Sequence, residues 1–504
     1  MFKKTKIIIL LFVITFFMIG CKPPGVLIEE TEFTFSLLQD GTYEVNGIKN
    51  IARYDIEIPN EYQGIKVTKI GRYAFTNYKD ITSVIIPEGI VEIGEGAFRG
   101  LSVMEEIIIP NSVIEIGNFT FSYCSNLVKA VLPDHLLKIN RELFANCYML
   151  QTIEFPEGLV EIDNAAFTDC YELKNIVLPN TVKKIADSAF AYCEFESIIM
   201  PQEMEYIGPG VFAGCRRLKE IVIPEGVKVL DTRVFSGCIK LEKATLPSTL
   251  EIIKEAAFRF CSSLKEIIIP NNVEIIENEA FYECFSMKKV ILSDELTSVG
   301  VRAFKNCESL EEIIIPKNVT NIEREAFFYC YNLTKVEILA NIKTIKTNTF
   351  YGCSKLSSVK LPNSLEIIDD AVFSGCKNLE YIEIPEGVTI IGGSAFSNCT
   401  KLKSIKLPES LKEIHSCAFL SCEQLVDVIL PDGLLFIDNG AFSSCNSLEK
   451  IIIPKGVEVI KNHAFADCSS LIIYCEAEKR PSGWGNEWRP ITTKTYWGYV
   501  EGNK

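Results

Sequence analysis

The sequence predicts a mostly β solenoid of about eighteen coils with one short parallel strand in each, and three observations carry that prediction. Phenylalanine recurs as Phe75, Phe98, Phe121, Phe144, Phe167, Phe190, Phe212, Phe235, Phe258, Phe281, Phe304, Phe327, Phe350, Phe373, Phe396, Phe419, Phe442 and Phe465, a step of 23 residues with a single step of 22 between Phe190 and Phe212. Within each repeat one segment alternates strictly, as in Glu220, Ile221, Val222, Ile223 and Pro224, the spacing of a short strand that buries every second side chain. Sixteen of the 19 cysteines stand three residues after a repeat phenylalanine, from Cys124 to Cys468. A period of this size marks units that cannot bury their own apolar side chains and must stack to do so.

A chain of 504 residues would ordinarily divide into about three globular domains, but the unbroken cadence makes one elongated domain the better count. Residues 1–20 have a basic start (Lys3, Lys4, Lys6) and an apolar run from Ile7 to Met18, the pattern of a secretory leader. Met18-Ile19-Gly20-Cys21 resembles a bacterial lipobox, which makes Cys21 a lipidation site; plain secretion is the alternative. Acyl chains contribute about 0.8 kcal/mol per buried methylene and hold a protein on a membrane without a spanning segment. Removing the leader deletes three lysines and no acid, so the net charge of −15 becomes −18, which disfavours nucleic acid as a partner. Residues 21–31 read as a lipid-anchored linker.

Residues 32–59 form the expected N-terminal cap. Phe33, Phe35 and Leu37, then Tyr43 and Val45, alternate around Gln39-Asp40-Gly41, a hairpin signal. Tyr54 to Pro59 repeat Ile-x-Ile-Pro without the phenylalanine and cysteine, a degenerate coil. The solenoid is expected over 60–477. Proline ends the strand in coil after coil because it lacks the amide that would continue the ladder, Ser293 and Leu339 being the exceptions. Glu-Gly pairs (Gly89, Gly158, Gly226, Gly387) or pairs containing asparagine supply the next turn. The Ala-Phe pair is expected on the opposite wall in a tight helical turn. The deletion after Cys193 brings Phe195 one residue early into the leucine place and predicts a local bulge with a kink. Leu471 to Ala477 form a last strand, and residues 478–504 read as a C-terminal cap and tail, with Trp484, Trp488 and Trp497 in the final 21 residues.

Tyr78 and Leu101 occupy the cysteine column in the first two coils, so the column reads as small buried apolar core. Scattered disulfides are the second reading; a metal site is disfavoured because close ligand pairs do not recur. No cofactor and no metal are expected. His135, His415 and His463 stand on three distant coils and share no site, and no nucleophile motif or phosphate-binding glycine loop is present, so catalysis is not expected.

The series Leu-x-x-Ile-x-Ile-Pro-x-x-Val-x-x-Ile followed by Ala-Phe-x-x-Cys resembles the BspA-type class of leucine-rich repeats over residues 54–477. That resemblance implies a curved solenoid of parallel strands and a monomeric, surface-exposed bacterial lipoprotein that binds host matrix proteins or other cell-surface proteins, an adhesin-like role. The candidate binding face is the outward column between the repeat isoleucines: Ile85, Ile108, Val131, Glu154, Val177, Ile199, Val222, Thr245, Ile268, Ile291, Ile314, Glu337, Lys360, Glu383, Lys406, Ile429 and Ile452. Eleven of these are aliphatic, and Glu337 to Lys406 alternate in sign. The column before it alternates as Glu220, Lys243, Glu266, Lys289, Glu312 and Lys335, which suggests charge pairing along the sheet. Two readings stand: the charges stabilise and solubilise the sheet while their stems shield the stripe, or the apolar runs form a docking face. A structural envelope spacer without a ligand, and carbohydrate binding through the tryptophan-rich end, are the alternative functions.

Overall fold

The structure is a computed structural model and describes residues 33–49 and 54–500; the leader, Cys21 and the linker lie outside them. The hairpin is present, β1 (Phe33–Leu37) pairing antiparallel with β2 (Tyr43–Ile48). Strand β2 then pairs in parallel with β5 (Ile65–Ile70) and so covers the open edge of a strand row. Phe33 stands edge-on to Phe75 at 6.3 Å and closes the phenylalanine column. Gly47, at φ +142, lets the hairpin approach the first coil, since an added Cβ would lie 2.7 Å from the Ala74 carbonyl. The degenerate coil supplies β3 (Asp55–Glu57), in register with Ser83–Ile85. One element was not anticipated: β4 (Glu61–Tyr62) turns through Gln63-Gly64, both at positive φ, into β5.

Each Ile-x-Ile segment from Ser83–Ile85 onward lies on one wall, and neighbouring coils pair in parallel in runs of two to four, Glu220 on Lys243, Ile221 on Ala244 and Val222 on Thr245. At Leu339, where proline is missing, the free amide bonds to the Ile315 carbonyl at 3.0 Å and the strand lengthens to Lys335–Ile338. The sequence led us to one strand per coil; the structure has two. The second row has two residues per coil, such as Val229–Leu230 paired with Ile252–Ile253, and runs to Val459–Ile460. Strands of two residues are too short to display alternation, which is why periodicity did not reveal them.

The third wall carries the Ala-Phe pair, and its conformation corrects the expected helical turn: the described residues contain no helix. Every repeat phenylalanine is instead flanked by two left-handed residues, two before and two after it, as Tyr73 (φ 54) and Asn77 (φ 63) flank Phe75. Alternate amides therefore point the same way along the rod. The amides of Tyr73, Phe75 and Asn77 donate to the carbonyls of Glu95, Ala97 and Arg99 in the next coil, and the same triplet recurs to Gly440, Phe442 and Ser444. In the last coil the amides of His463 and Phe465 donate to the carbonyls of Glu487 and Trp488, so the C-terminal cap takes the place of a further coil.

Inside these walls the phenylalanine rings stack at 5.1 to 5.7 Å, nearly parallel throughout, and all are buried. The exception is the 22-residue step, where Phe190 and Phe212 stand 6.3 Å apart but only 6° from parallel. The expected bulge is there, since the first strand row thins to isolated bridges such as Val177 with Ile199. The ring column does not kink: it dilates, and Phe195 fills the gap edge-on to both neighbours at 6.2 and 6.1 Å.

The sixteen-cysteine column is buried, and each thiol donates to the carbonyl of the phenylalanine one coil earlier at 3.0 to 3.5 Å. Cysteine is thus small enough for the core and still carries a weak donor. Tyr78 in the first coil has no earlier phenylalanine and sends its hydroxyl to the Ile48 carbonyl at 3.1 Å instead. Burial pushes the Cys124 and Cys399 thiols up to about 12. At the C-terminal end Ile472–Cys475 is joined by an unanticipated parallel strand, Lys494–Trp497. Trp484 and Trp488 are buried against it, with Trp488 edge-on to Phe465 at 6.0 Å.

Three outcomes follow from this packing. Phe258→Ala removes one ring from the middle of the stack and lowers stability by about 3–5 kcal/mol, measured by denaturant unfolding. Thiol titration of the native protein finds at most Cys417 reacting quickly among the described cysteines, whereas the denatured chain exposes all eighteen; a denatured count well below that means disulfides. Glu325 accepts a two-pronged hydrogen bond from Arg302 (2.9 and 3.1 Å) and another from Lys305 (2.7 Å), and the Arg302 bond above all holds its carboxyl down at about 2. A carboxyl depressed in the folded state adds stability above its unfolded value near 4.5 that is lost as pH falls toward about 2. Glu325→Gln therefore flattens the pH dependence of the melting temperature between those limits.

Candidate binding surfaces

The strand wall places the candidate column outward, as strand geometry requires, because each flanking isoleucine is turned into the core. Ile221 and Ile223 are buried while Val222 between them is exposed. Val177 and Ile199 at the 22-residue step are each 80% exposed and Ile429 reaches 82%. Ile85, Ile108, Ile268, Ile291 and Ile314 are also exposed, and Val131 and Ile452 are half-buried. The stripe is notched where Ala244 and Thr245 replace larger side chains. There a groove of about 650 Å³ opens, floored by Ala244, Ile267 and Leu246 and edged by Ile268 and Ile291.

Charge pairing along this wall is selective. Within the candidate column Glu337 pairs with Lys360 and Glu383 with Lys406, each at 2.8 Å. One column earlier the alternation of Glu220, Lys243, Glu266, Lys289 and Glu312 forms no ion pair among the described residues, although the backbone register sets Glu220, Lys243, Glu266 and Lys289 side by side. Lys335 turns along its own strand to Glu337 at 3.9 Å. Exposed side chains gain little by closing such pairs, at most about 1 kcal/mol, and lose rotamer freedom by doing so. Earlier in that same column Lys129 does reach Glu106 at 2.9 Å, and beside the strands Lys403 bridges to Glu380.

The three histidines remain apart: His415 meets Glu413 of its own coil at 2.8 Å, His463 meets Glu487 of the cap at 3.6 Å, and His135 lies exposed in a turn. Among the described residues no group of three or more histidines, cysteines or acids could hold a metal ion. At the tryptophan-rich end Trp484 and Trp488 are each only 3% exposed and pack on one another at 4.9 Å, while Trp497 is half-buried.

Sequence reasoning missed an aromatic surface on the turn wall. Tyr73, Tyr123 and Tyr192 occupy left-handed positions beside the repeat phenylalanine, and Tyr148 and Tyr171, two residues further along their coils, stack on each other at 5.4 Å. All five rings are partly open to solvent. The Asp169 carboxylate, which accepts the Tyr171 hydroxyl at 2.9 Å, pushes that phenol up to about 12. Arg99 lies over the rings of Tyr123 (5.3 Å) and Phe119 (6.0 Å). The available signal was the tyrosine-rich composition of positions outside the core columns, which a search for buried periodicity passes over.

Comparison with known proteins agrees with this architecture. A solved leucine-rich repeat protein from Bacteroides ovatus is 30% identical, with a TM-score of 0.61, covering 89% of this chain and 99% of that one. A leucine rich cell surface protein from Faecalibacterium prausnitzii is 20% identical over 95% of this chain and 96% of its own, with a TM-score of 0.29. No curated protein matches the chain. The family profile described as BspA type leucine rich repeat region matches six times, over residues 68–195, 138–261, 183–293, 230–357, 274–380 and 343–472. A match of that extent, on coils whose phenylalanine, cysteine and isoleucine columns are those of the repeat, establishes that the chain belongs to the BspA-type leucine-rich repeat family.

Proposed function

We propose that this protein is an extracytoplasmic surface lipoprotein, anchored at Cys21, that presents its strand wall to a protein on another cell or in a matrix. The observation that carries the reading is the exposed aliphatic stripe. Val177, Ile199, Val222, Ile268, Ile291, Ile314 and Ile429 spend hydrophobic surface on water at positions where the fold itself would accept polar residues. Contiguous apolar surface on a soluble protein marks an interface more often than it marks chance. The notch over Ala244 gives that surface a recess into which an apolar side chain of a partner can anchor, and such anchors dominate interface energetics. The paired charges from Glu337 to Lys406 divide the stripe and favour partners that present apolar patches on either side of a polar one.

Combining Ile268→Ser, Ile291→Ser and Ile314→Ser tests the reading. The changes lie at the surface and leave the melting temperature nearly unaltered. Saturable capture of purified matrix and plasma proteins, or of intact cells, falls at least tenfold. Unchanged capture by the folded variant refutes a docking role, and a wild-type protein that captures nothing saturably is a spacer.

A further inference from the structure

We infer that the turn wall carries a second binding site, distinct from the strand wall, that takes an acidic polysaccharide along a track of tyrosines between two cationic grooves. The first groove, of about 630 Å³, is lined by Tyr73, Tyr123 and Tyr148 with Arg99 and Lys79. The second, of about 590 Å³, is lined by Tyr192 and Phe260 with Arg216 and Arg233. Tyr171 stands between them, stacked on Tyr148.

Charge is the first argument. The chain carries −15 overall, and about half of its described cations are engaged with carboxylates, many of them on adjacent coils. Lys79, Arg99, Arg216 and Arg233 form no ion pair among the described residues, and neither groove is lined by a carboxylate. Two cations without acids, repeated in two grooves on one wall of an acidic rod, are complementary to an anion supplied from outside. Two acids touch the track, and tyrosine hydroxyls engage both: Glu95 accepts from Tyr73 and also pairs with Arg72, and Asp169 accepts from Tyr171.

Ring geometry is the second. Tyr73 lies flat on Gly96 and Tyr192 on Gly214, so closely that a Cβ at either glycine would stand 2.4 Å from the ring. The rings are therefore held in place before any ligand arrives, which lowers the ordering cost of binding. Around the first groove the remaining groups are Thr76, Asn77, Ser102 and Ser125, small donors and acceptors suited to hydroxyls. Rings for the apolar face of a sugar, hydroxyl partners for its edge and a guanidinium for its carboxylate or sulfate make one consistent set. Arg99 and Arg216 stand five coils apart, and the Tyr148 and Tyr171 rings of neighbouring coils are 5.4 Å apart, a span that calls for a polymer and not a single sugar. The small polar groups around the groove favour a hydroxyl-rich sugar chain over a nucleic acid, whose deoxyriboses offer few free hydroxyls.

The test uses the purified protein with hyaluronan (carboxylated), heparin (sulfated), dextran (neutral) and a thymidine oligonucleotide as probes, by interferometry at physiological salt. Hyaluronan or heparin binds and dextran does not. Arg99→Glu or Arg216→Glu weakens binding at least tenfold and the pair abolishes it. Tyr123→Ala with Tyr148→Ala, which keeps every charge, weakens it at least fivefold. The Ile268, Ile291 and Ile314 serine variant binds as wild type does, which separates this site from the proposed protein-binding face. The inference is overturned if neither acidic polymer binds, if the charge-reversed variants bind undiminished, if the tyrosine variant is unaffected, or if only the oligonucleotide is retained.

Discussion

The structure depends on the direction of the amides on its turn wall. By placing left-handed residues two before and two after each phenylalanine, the backbone turns three successive alternate amides toward the following coil and the matching carbonyls back toward the preceding one. Left-handed conformations at residues other than glycine cost of order 1–3 kcal/mol each and persist only where surroundings over-determine them. Here the surroundings are three hydrogen bonds per coil, the ring beneath and the thiol beside it. No coil holds this shape without the next. The cooperative unit is therefore the stack, and the two ends need covers that differ: a hairpin that pairs with a strand row at one end, and at the other a tryptophan-bearing segment that offers carbonyls to the last amides.

This explains which parts of the fold could be read from residue order and which could not. Core columns were legible because burial imposes a residue type once per coil, so Phe258, Cys261, Leu264 and Ile267 repeat where chance would scatter them. The outward position of Ile268 followed from strand alternation alone. The second strand row, with its two residues per coil, was not legible, since Val229–Leu230 leaves no room for a pattern. Nor was the left-handed wall. Glycine, asparagine and aspartate do occupy many of its flanking positions, but Tyr73, Phe119 and Phe260 occupy others, and an aromatic residue is not ordinarily a mark of positive φ. The register of the sheet sets Glu220 beside Lys243, yet their side chains stay apart. Alternating charge in sequence does not by itself decide pairing: Glu383 and Lys406 close at the surface, Glu220 and Lys243 do not, and the bonds around Glu325 are made by two cations together.

The 22-residue step separates two kinds of tolerance in the same rod. The strand wall responds by losing its ladder to isolated bridges, whereas the amide triplet of the turn wall passes through without interruption, from Ser188, Phe190 and Tyr192 to Pro209, Val211 and Ala213. The deletion falls after Cys193, on the side of the coil leading to the strand, so the strand absorbs it. Phe195 then restores the lost volume, since a ring in the leucine place fills what a wider ring spacing leaves open. The two most exposed members of that part of the stripe, Val177 and Ile199, border this point.

Because the interior columns and the backbone amide ladder set the stacking, the outward side chains on both walls are largely released from folding and can be chosen for solvent, for neighbours or for ligands. Each such position is repeated at the coil spacing, so a surface feature is naturally multiplied along the rod. A single exposed isoleucine or tyrosine contributes little, but contacts made in series act as one linked event and gain effective concentration from one another. Periodic presentation therefore favours occupants that are themselves extended, whether a chain of sugars or a flat protein surface, over small compact ligands. The grooves bear this out in shape: they are open recesses spanning several coils, lined from the turns or strands of successive repeats, and none of their walls is supplied by one coil alone.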